Sequence, residues 1–148
     1  MNIIQVEFAT PEYDETVALR YKILREPLGL EFTEEQLAAE YADFHLAAYS
    51  ESWILRGCLV LTPKNDKVLK MRQVAVGIES QSKGIGTLLV QASEVLARAN
   101  GYETIELNAR DTAIHFYEKL NYQKVGEEFV EVNIPHYKMV KQLMGNGY

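Results

Sequence analysis

Cysteine is almost missing from this chain: Cys58 stands alone, so no disulfide can form within it. A chain of 148 residues without a covalent staple must hold itself by burying apolar surface, and that length suits one domain, 1–148, with one core. The thiol lies in an apolar run, Cys58-Leu59-Val60-Leu61, and is expected to be buried and inert. A cytoplasmic setting is the expectation that goes with such cysteine use. Histidine is scarce as well, and His45 and His115 have no partner at ligand spacing, so no metal site is expected. No apolar run approaches the ~20 residues of a membrane span. Met1-Asn2-Ile3-Ile4-Gln5-Val6-Glu7 lacks the basic and long apolar regions of an export signal, so no membrane partner is expected. Basic residues are outnumbered 15 to 21, for a net charge of −6. That balance argues against a non-specific nucleic-acid binder, which needs a basic face, and suits a cationic substrate such as an amine.

What the chain does have is pattern. Residues 2–8 alternate, with Ile4, Val6 and Phe8 on one side, and read as a strand. Thr10-Pro11 supplies an N-cap and a first-turn proline for a helix to about Arg25, with Tyr13, Val17, Tyr21 and Leu24 at helical spacing. Pro27 and Gly29 stop it, and the capping box Thr33-Glu34-Glu35-Gln36 opens a short second helix. Strand-like runs at 44–50, 53–62 and 67–76 follow, separated by Glu51-Ser52 and Pro63-Lys64-Asn65-Asp66. Ile85, Leu88, Leu89, Ala92, Val95, Leu96 and Ala99 then form the apolar stripe of a long helix closed by Asn100-Gly101. A strand at 103–108, a helix at 111–120, and strands at 123–131 and 136–143 complete the chain, with Gly145-Asn146-Gly147 expected to fray. The order is β-α-α-β-β-β-α-β-α-β-β, a mixed α/β sheet in which the strands ending at Val76 and Asn108 run parallel.

Between the strand ending at Val76 and the long helix lies Gln81-Ser82-Lys83-Gly84-Ile85-Gly86-Thr87. A helix start offers unpaired N–H groups and partial positive charge, and small residues let a ligand approach the backbone. The stretch therefore reads as a grip for the pyrophosphate of a cofactor. A Walker loop fails because Ser82 takes the place of its second glycine and Gly84 follows Lys83. A dinucleotide fingerprint fails because Leu89 stands where its third glycine belongs. An ordinary glycine turn into a helix remains the plain alternative on this stretch alone.

Gln81, Gly84 and Gly86 fit Q/R-x-x-G-x-G/A, which resembles the acetyl-coenzyme A loop of the GCN5-related N-acetyltransferase (GNAT) family. About thirty residues on, Ala113-Ile114-His115-Phe116-Tyr117-Glu118-Lys119-Leu120-Asn121-Tyr122 resembles that family's A-x-x-F-Y-x-K-x-G-F, with Asn121 for glycine and Tyr122 for phenylalanine. Gly126-Glu127-Glu128-Phe129 and Ile134-Pro135-His136-Tyr137-Lys138-Met139 resemble the ending of small bacterial members of the ElaA and YjcF types, with Asn133 for a glycine.

The resemblance implies a single-domain GNAT fold: a central, mostly antiparallel mixed sheet, helices on both faces, and a parallel pair splayed at the acetyl-CoA site. It implies acetyl transfer from acetyl-CoA to a primary amine of a small molecule or peptide. By the same resemblance Val74, Ala75 and Val76 run along the pantetheine, with a backbone N–H near Val74 facing the thioester oxygen. The N–H groups from Gln81 through Thr87, with Ser82, Lys83, Gly84, Ile85 and Gly86 between them, hold the pyrophosphate. Asn108 contacts the pantetheine or substrate, and Tyr117 assists thiolate departure. His136 and Glu128 rank first as acceptors of the amine proton, beside Glu131 and Glu106. A homodimer is common in that family. The competing reading is a module that binds acyl-CoA without turnover, which needs neither Tyr117 nor the acidic tail.

Overall fold

A computed structural model describes residues 1–143. The expected fraying at Gly145-Asn146-Gly147 falls outside the described residues. The elements are β1 (Asn2–Val6), α1 (Pro11–Arg20), α2 (Glu34–Ala38), β2 (Phe44–Tyr49), β3 (Leu55–Pro63), β4 (Val68–Val76), α3 (Ile85–Ala99), β5 (Thr104–Arg110), α4 (Ile114–Lys119), β6 (Gln123–Glu131) and β7 (Ile134–Gln142). Their order is the one expected from the sequence.

The strands form one seven-stranded sheet in the order β1-β2-β3-β4-β5-β7-β6. β1 with β2, β2 with β3, β5 with β7 and β6 with β7 are antiparallel, whereas β4 and β5 are parallel. The parallel ladder covers four residue pairs, Val68↔Thr104 to Met71↔Leu107, and both strands run on past it, to Val76 and Arg110. By contacts the chain divides into two units, Met1–Thr62 with Arg72–Ser93, and Pro63–Met71 with Glu94 onward. Strand β4 and helix α3 each run through both.

Local chemistry sets the element ends. The Thr10 hydroxyl accepts from the Tyr13 N–H at 3.2 Å and caps α1, and Thr33 with Gln36 completes the capping box of α2. Helix α1 is shorter than expected, because its last part, Tyr21–Arg25, widens into a π-helical turn. The most deeply buried residues of α1 are Tyr13, Thr16 and Arg20, while Val17, Tyr21 and Leu24 of the expected stripe are half-buried. Helix α4 also starts late, since Asp111–Ala113 form a tight turn first. Asn121 ends it at φ +72, the left-handed geometry for which the family pattern uses glycine. β6 carries two residues more than its partner between Val125↔Lys138 and Phe129↔His136, with Gly126 at φ +79 in that irregular stretch.

In the first unit Val6, Tyr13, Ala47 and Tyr49 pack with Ile4, Phe8, Val17 and Leu55. In the second, Leu69, Ile105, Leu107, Tyr122 and Met139 are buried. Cys58 is buried as expected, and burial pushes its thiol up to about 12. Among the described residues no helix is long and apolar enough to cross a membrane. Among the described residues no group of three or more His, Cys, Asp and Glu could hold a metal ion.

Candidate functional site

Strand β4 hands the chain to α3 through a tight turn at Ile78–Ser80 and the glycine loop. The Gly77 N–H donates to the Arg56 carbonyl at 2.8 Å, and the Gln81 side-chain amide donates to the Val76 carbonyl at 3.1 Å, so the turn is tied back to β3 and β4. Ser82 at φ +64 and Gly84 at φ +81 then place two left-handed residues just before the helix. The first helical bond runs from the Leu88 N–H to the Gly84 carbonyl at 3.1 Å. Among the described residues, nothing accepts from the backbone N–H groups of Ser82, Lys83, Gly84, Ile85, Gly86 and Thr87. Alternating left-handed turns with successive unpaired amides form a concavity for anions, and the positive end of a helix dipole adds to it. Beside the loop, Met1, Arg56, Glu79, Ser80, Lys83, Ile85 and Leu88 line a cavity of about 300 Å³. It brings Lys83 and Arg56 to one hollow.

In β4, Val74 and Val76 are half-buried and Ala75 is buried. The preceding residue, Gln73, is the surprise: it stands in mid-strand at φ +53. Its side-chain oxygen accepts from Arg20 Nη1 at 2.9 Å. Arg20 is wholly buried and grips Glu40 with both terminal nitrogens, at 2.9 and 2.8 Å, while the Tyr13 hydroxyl donates to the same carboxylate at 2.8 Å. Burial alone would push the Glu40 carboxyl up, but the guanidinium outweighs it and holds the group below the usual carboxylate range.

The second unit holds the remaining candidates. Tyr117 is buried on α4, its ring edge-on to Phe116 at 5.0 Å and to Tyr122 at 5.8 Å. Among the described residues no group hydrogen-bonds its hydroxyl, in contrast to Tyr122, whose hydroxyl donates to Glu94 at 3.1 Å. Burial pushes the Tyr117 hydroxyl up to about 12. Asn108 lies within β5, which runs two residues beyond the expected end, and pairs with Lys138.

His136 is buried in β7, stacked on Phe129 at 5.8 Å. Its Nδ1 is 2.7 Å from the Ile134 carbonyl, which can only accept, so Nδ1 carries the proton. Nε2 then faces Glu131 at 3.7 Å. Glu128 is exposed in the irregular stretch of β6. Glu106 is held between Lys64 at 2.9 Å and Lys138 at 3.3 Å. Burial acts to raise its carboxyl, yet the two ammonium groups keep it below the usual range, which suits a fixed anion better than a base.

This geometry meets a family match. The family described as "Acetyltransferase (GNAT) domain" matches residues 11–143. The chain belongs to the GNAT acetyltransferase family. It is similar to the uncharacterised N-acetyltransferase YjcF of Bacillus subtilis, 34% identical over 73 residues, 49% of this chain and 52% of that protein. The chain spans about half the length of the curated relatives it matches. Among solved structures, an aminoglycoside 6'-N-acetyltransferase complexed with coenzyme A aligns over 100% of both chains, with TM-score 0.83 and 20% identity. A GNAT acetyltransferase from Elizabethkingia anophelis with acetyl-CoA bound aligns over 96% of this chain and 97% of its own, with TM-score 0.73 and 18% identity. These likenesses establish the fold.

Within this GNAT chain two features escaped the sequence reading. The Arg20–Glu40–Gln73 cluster joins residues 20 and 53 positions apart, which no local pattern reveals. Gly57 was legible in principle, because a glycine inside an apolar strand marks a close approach of backbone. A methyl group there would stand 3.0 Å from Leu89, 3.1 Å from Ile85 and 3.2 Å from the Ala75 carbonyl. Its bare face therefore lets the start of α3 settle against β3 and β4.

Proposed function

We propose that this protein transfers the acetyl group of acetyl-CoA to a primary amine of a small molecule or peptide, in one acetyltransferase domain. The observation that carries the reading is the run of six unpaired amides from Ser82 to Thr87 at the start of α3. In this reading they hold the pyrophosphate, with Gln81 bracing the loop against β4 and Lys83 adding a point charge. Val74, Ala75 and Val76 run along the pantetheine, Asn108 contacts it from β5, and the Val74 N–H faces the thioester oxygen, where a preorganised donor contributes ~3–4 kcal/mol.

The amine nitrogen attacks the thioester carbon, the carbon–sulfur bond breaks, coenzyme A leaves as the thiolate, and the new amide nitrogen sheds its second proton to water. An alkyl ammonium with pKa ~10.4 must first lose a proton, a cost of ~4.6 kcal/mol at pH 7. His136 takes that proton on Nε2, a role supported by its Nδ1 bond to the Ile134 carbonyl, while exposed Glu128 draws the cation in. Tyr117 meets the departing sulfur. Its hydroxyl, at about 12, is weaker as an acid than a thiol of pKa ~8.5, so transfer to the thiolate is uphill by about 5 kcal/mol. Tyr117 thus works by donating a hydrogen bond, and the proton on the released thiol comes from water.

The test is an acceptor screen with acetyl-CoA and thiol detection, covering polyamines, amino acids, aminoglycosides and peptides, beside calorimetry with coenzyme A. Acetyl-dependent thiol release with one amine class is expected. Tight coenzyme A binding without release for any acceptor would favour the binding module. Gly84→Val separates the loop from the rest: φ +81 is strained for any side chain, although the space around it is open, so coenzyme A binding should be lost in a folded protein.

A further inference from the structure

We infer that Arg20 is a positioning residue for the thioester: through its bond to Gln73 it holds the left-handed residue of β4 that aims the next amide, Val74 N–H, at the thioester oxygen. This rests on the acetyl-CoA reading above and adds a residue pair that the family motifs do not contain.

An ion pair with Glu40 needs two of the guanidinium's N–H groups, one from each terminal nitrogen, and Arg20 makes both bonds. Nη1 has a second hydrogen, and that one goes to Gln73 Oε1 at 2.9 Å. Arg20 Nε, by contrast, is buried without a partner. The fork is thus oriented to serve Glu40 and Gln73 together, at the expense of its own Nε.

A non-glycine residue at φ +53 inside a strand adopts a conformation that side chains disfavour, and such residues persist where surrounding contacts over-determine them. A positive φ rotates the peptide on one side of the residue out of the ladder direction, which is how strands re-aim groups beside active sites. The neighbouring residue is pinned as well: Arg72 Nη1 donates to the Thr62 hydroxyl at 3.0 Å and lies 3.8 Å from Asp43. The kink and the residue before it are therefore fixed by side chains, and the next residue is Val74.

The far end of the bond network is rigid. Glu40 is held by Tyr13 as well as Arg20, its carbonyl meets His45 Nε2 at 3.0 Å, and the Arg20 guanidinium lies against the Phe32 ring at 5.3 Å. A stability role alone would be met as well by apolar side chains of similar volume. The third bond is what an apolar replacement could not make.

The experiment compares the wild type, Gln73→Met and Gln73→Gly, each bound to acetyl-CoA labelled with ¹³C at the carbonyl. The readouts are the infrared carbonyl band, calorimetric affinity for coenzyme A, and a thermal melt. Methionine keeps the length and loses the bond; the Arg20–Glu40 pair stays intact, so the fold should survive. Expected for Gln73→Met is a carbonyl band moved toward that of free acetyl-CoA, coenzyme A affinity within twofold, and turnover at least tenfold lower. Glycine adopts positive φ without help, so Gln73→Gly should restore most of the band position. A wild-type band in Gln73→Met, or a Gln73→Gly band as displaced as that of Gln73→Met, overturns the proposal while acetyl-CoA use stands. A wild-type protein that binds no acetyl-CoA overturns the reading of the site and this proposal with it.

Discussion

Tyr117→Phe removes one oxygen from a buried ring, and the structure predicts separable effects on activity and stability. Among the described residues the hydroxyl has no hydrogen-bond partner, so its loss leaves no donor or acceptor stranded. The hydroxyl oxygen keeps some contact with solvent, unlike the buried and unpartnered Arg20 Nε and His45 Nδ1, so phenylalanine should melt close to the wild-type temperature. Activity should fall. A hydrogen bond to a charged group contributes ~1.5–3 kcal/mol, which converts to a loss in turnover of roughly 10- to 150-fold. The assay is steady-state thiol release with the acceptor found in the screen, beside calorimetry of coenzyme A, whose affinity should hardly change because the loop is untouched. The pH profile adds a second check. With the hydroxyl near 12, the tyrosine stays protonated throughout the working range, so no activity loss should appear around pH 10 in the wild type. Turnover within twofold of wild type would falsify the role of Tyr117, and a large drop in melting temperature would make it a packing residue instead.

Three further outcomes are expected. Gly57→Ala forces a methyl group against Leu89, Ile85 and the Ala75 carbonyl, and overpacking of that kind costs ~1–3 kcal/mol; coenzyme A affinity should drop with it, because the start of α3 is displaced. Glu40→Gln leaves the guanidinium of Arg20 buried without its countercharge, and urea titration should show a loss of ~3–5 kcal/mol. Alkaline solution should destabilise the fold: below pH ~10 Tyr117 and Tyr122 are protonated in both states and stability is whole. Above that the unfolded chain ionises first, because burial raises both hydroxyls in the folded protein, and stability falls by ~1.4 kcal/mol per pH unit for each tyrosine. Melting temperatures that hold level from pH 9 to 11 would contradict this.

How much of this could be read beforehand depended on distance along the chain. The loop from Gln81 to Thr87 was legible because strand, glycines and helix stripe are consecutive, and the unpaired amides follow from a helix start. The caps at Thr10 and Thr33 and the left-handed stop at Asn121 were legible for the same reason. Arg20 was not. The spacing of Tyr13, Val17, Tyr21 and Leu24 suggested an apolar face, whereas the real face carries Thr16 and a charged group that only Glu40 makes tolerable inside. Gln73 was hidden more deeply, since positive φ in mid-strand is imposed by its surroundings and glutamine gives no sign of it. The shift in β6 likewise comes from pairing with β7, so the strand could be expected but its register could not.

The single thiol of Cys58 has a practical consequence. It is 1% exposed, its Sγ donates to the Thr16 carbonyl, and with a pKa pushed up to about 12 only about one molecule in ten thousand carries a thiolate at pH 8. Reagents that count free thiols should therefore be blind to the folded protein and see only released coenzyme A. Once the chain opens, the same sulfur returns to an ordinary pKa and reacts at once. Without added acetyl-CoA, the colour reaction becomes a stopwatch for spontaneous opening, one count per molecule, with no label attached.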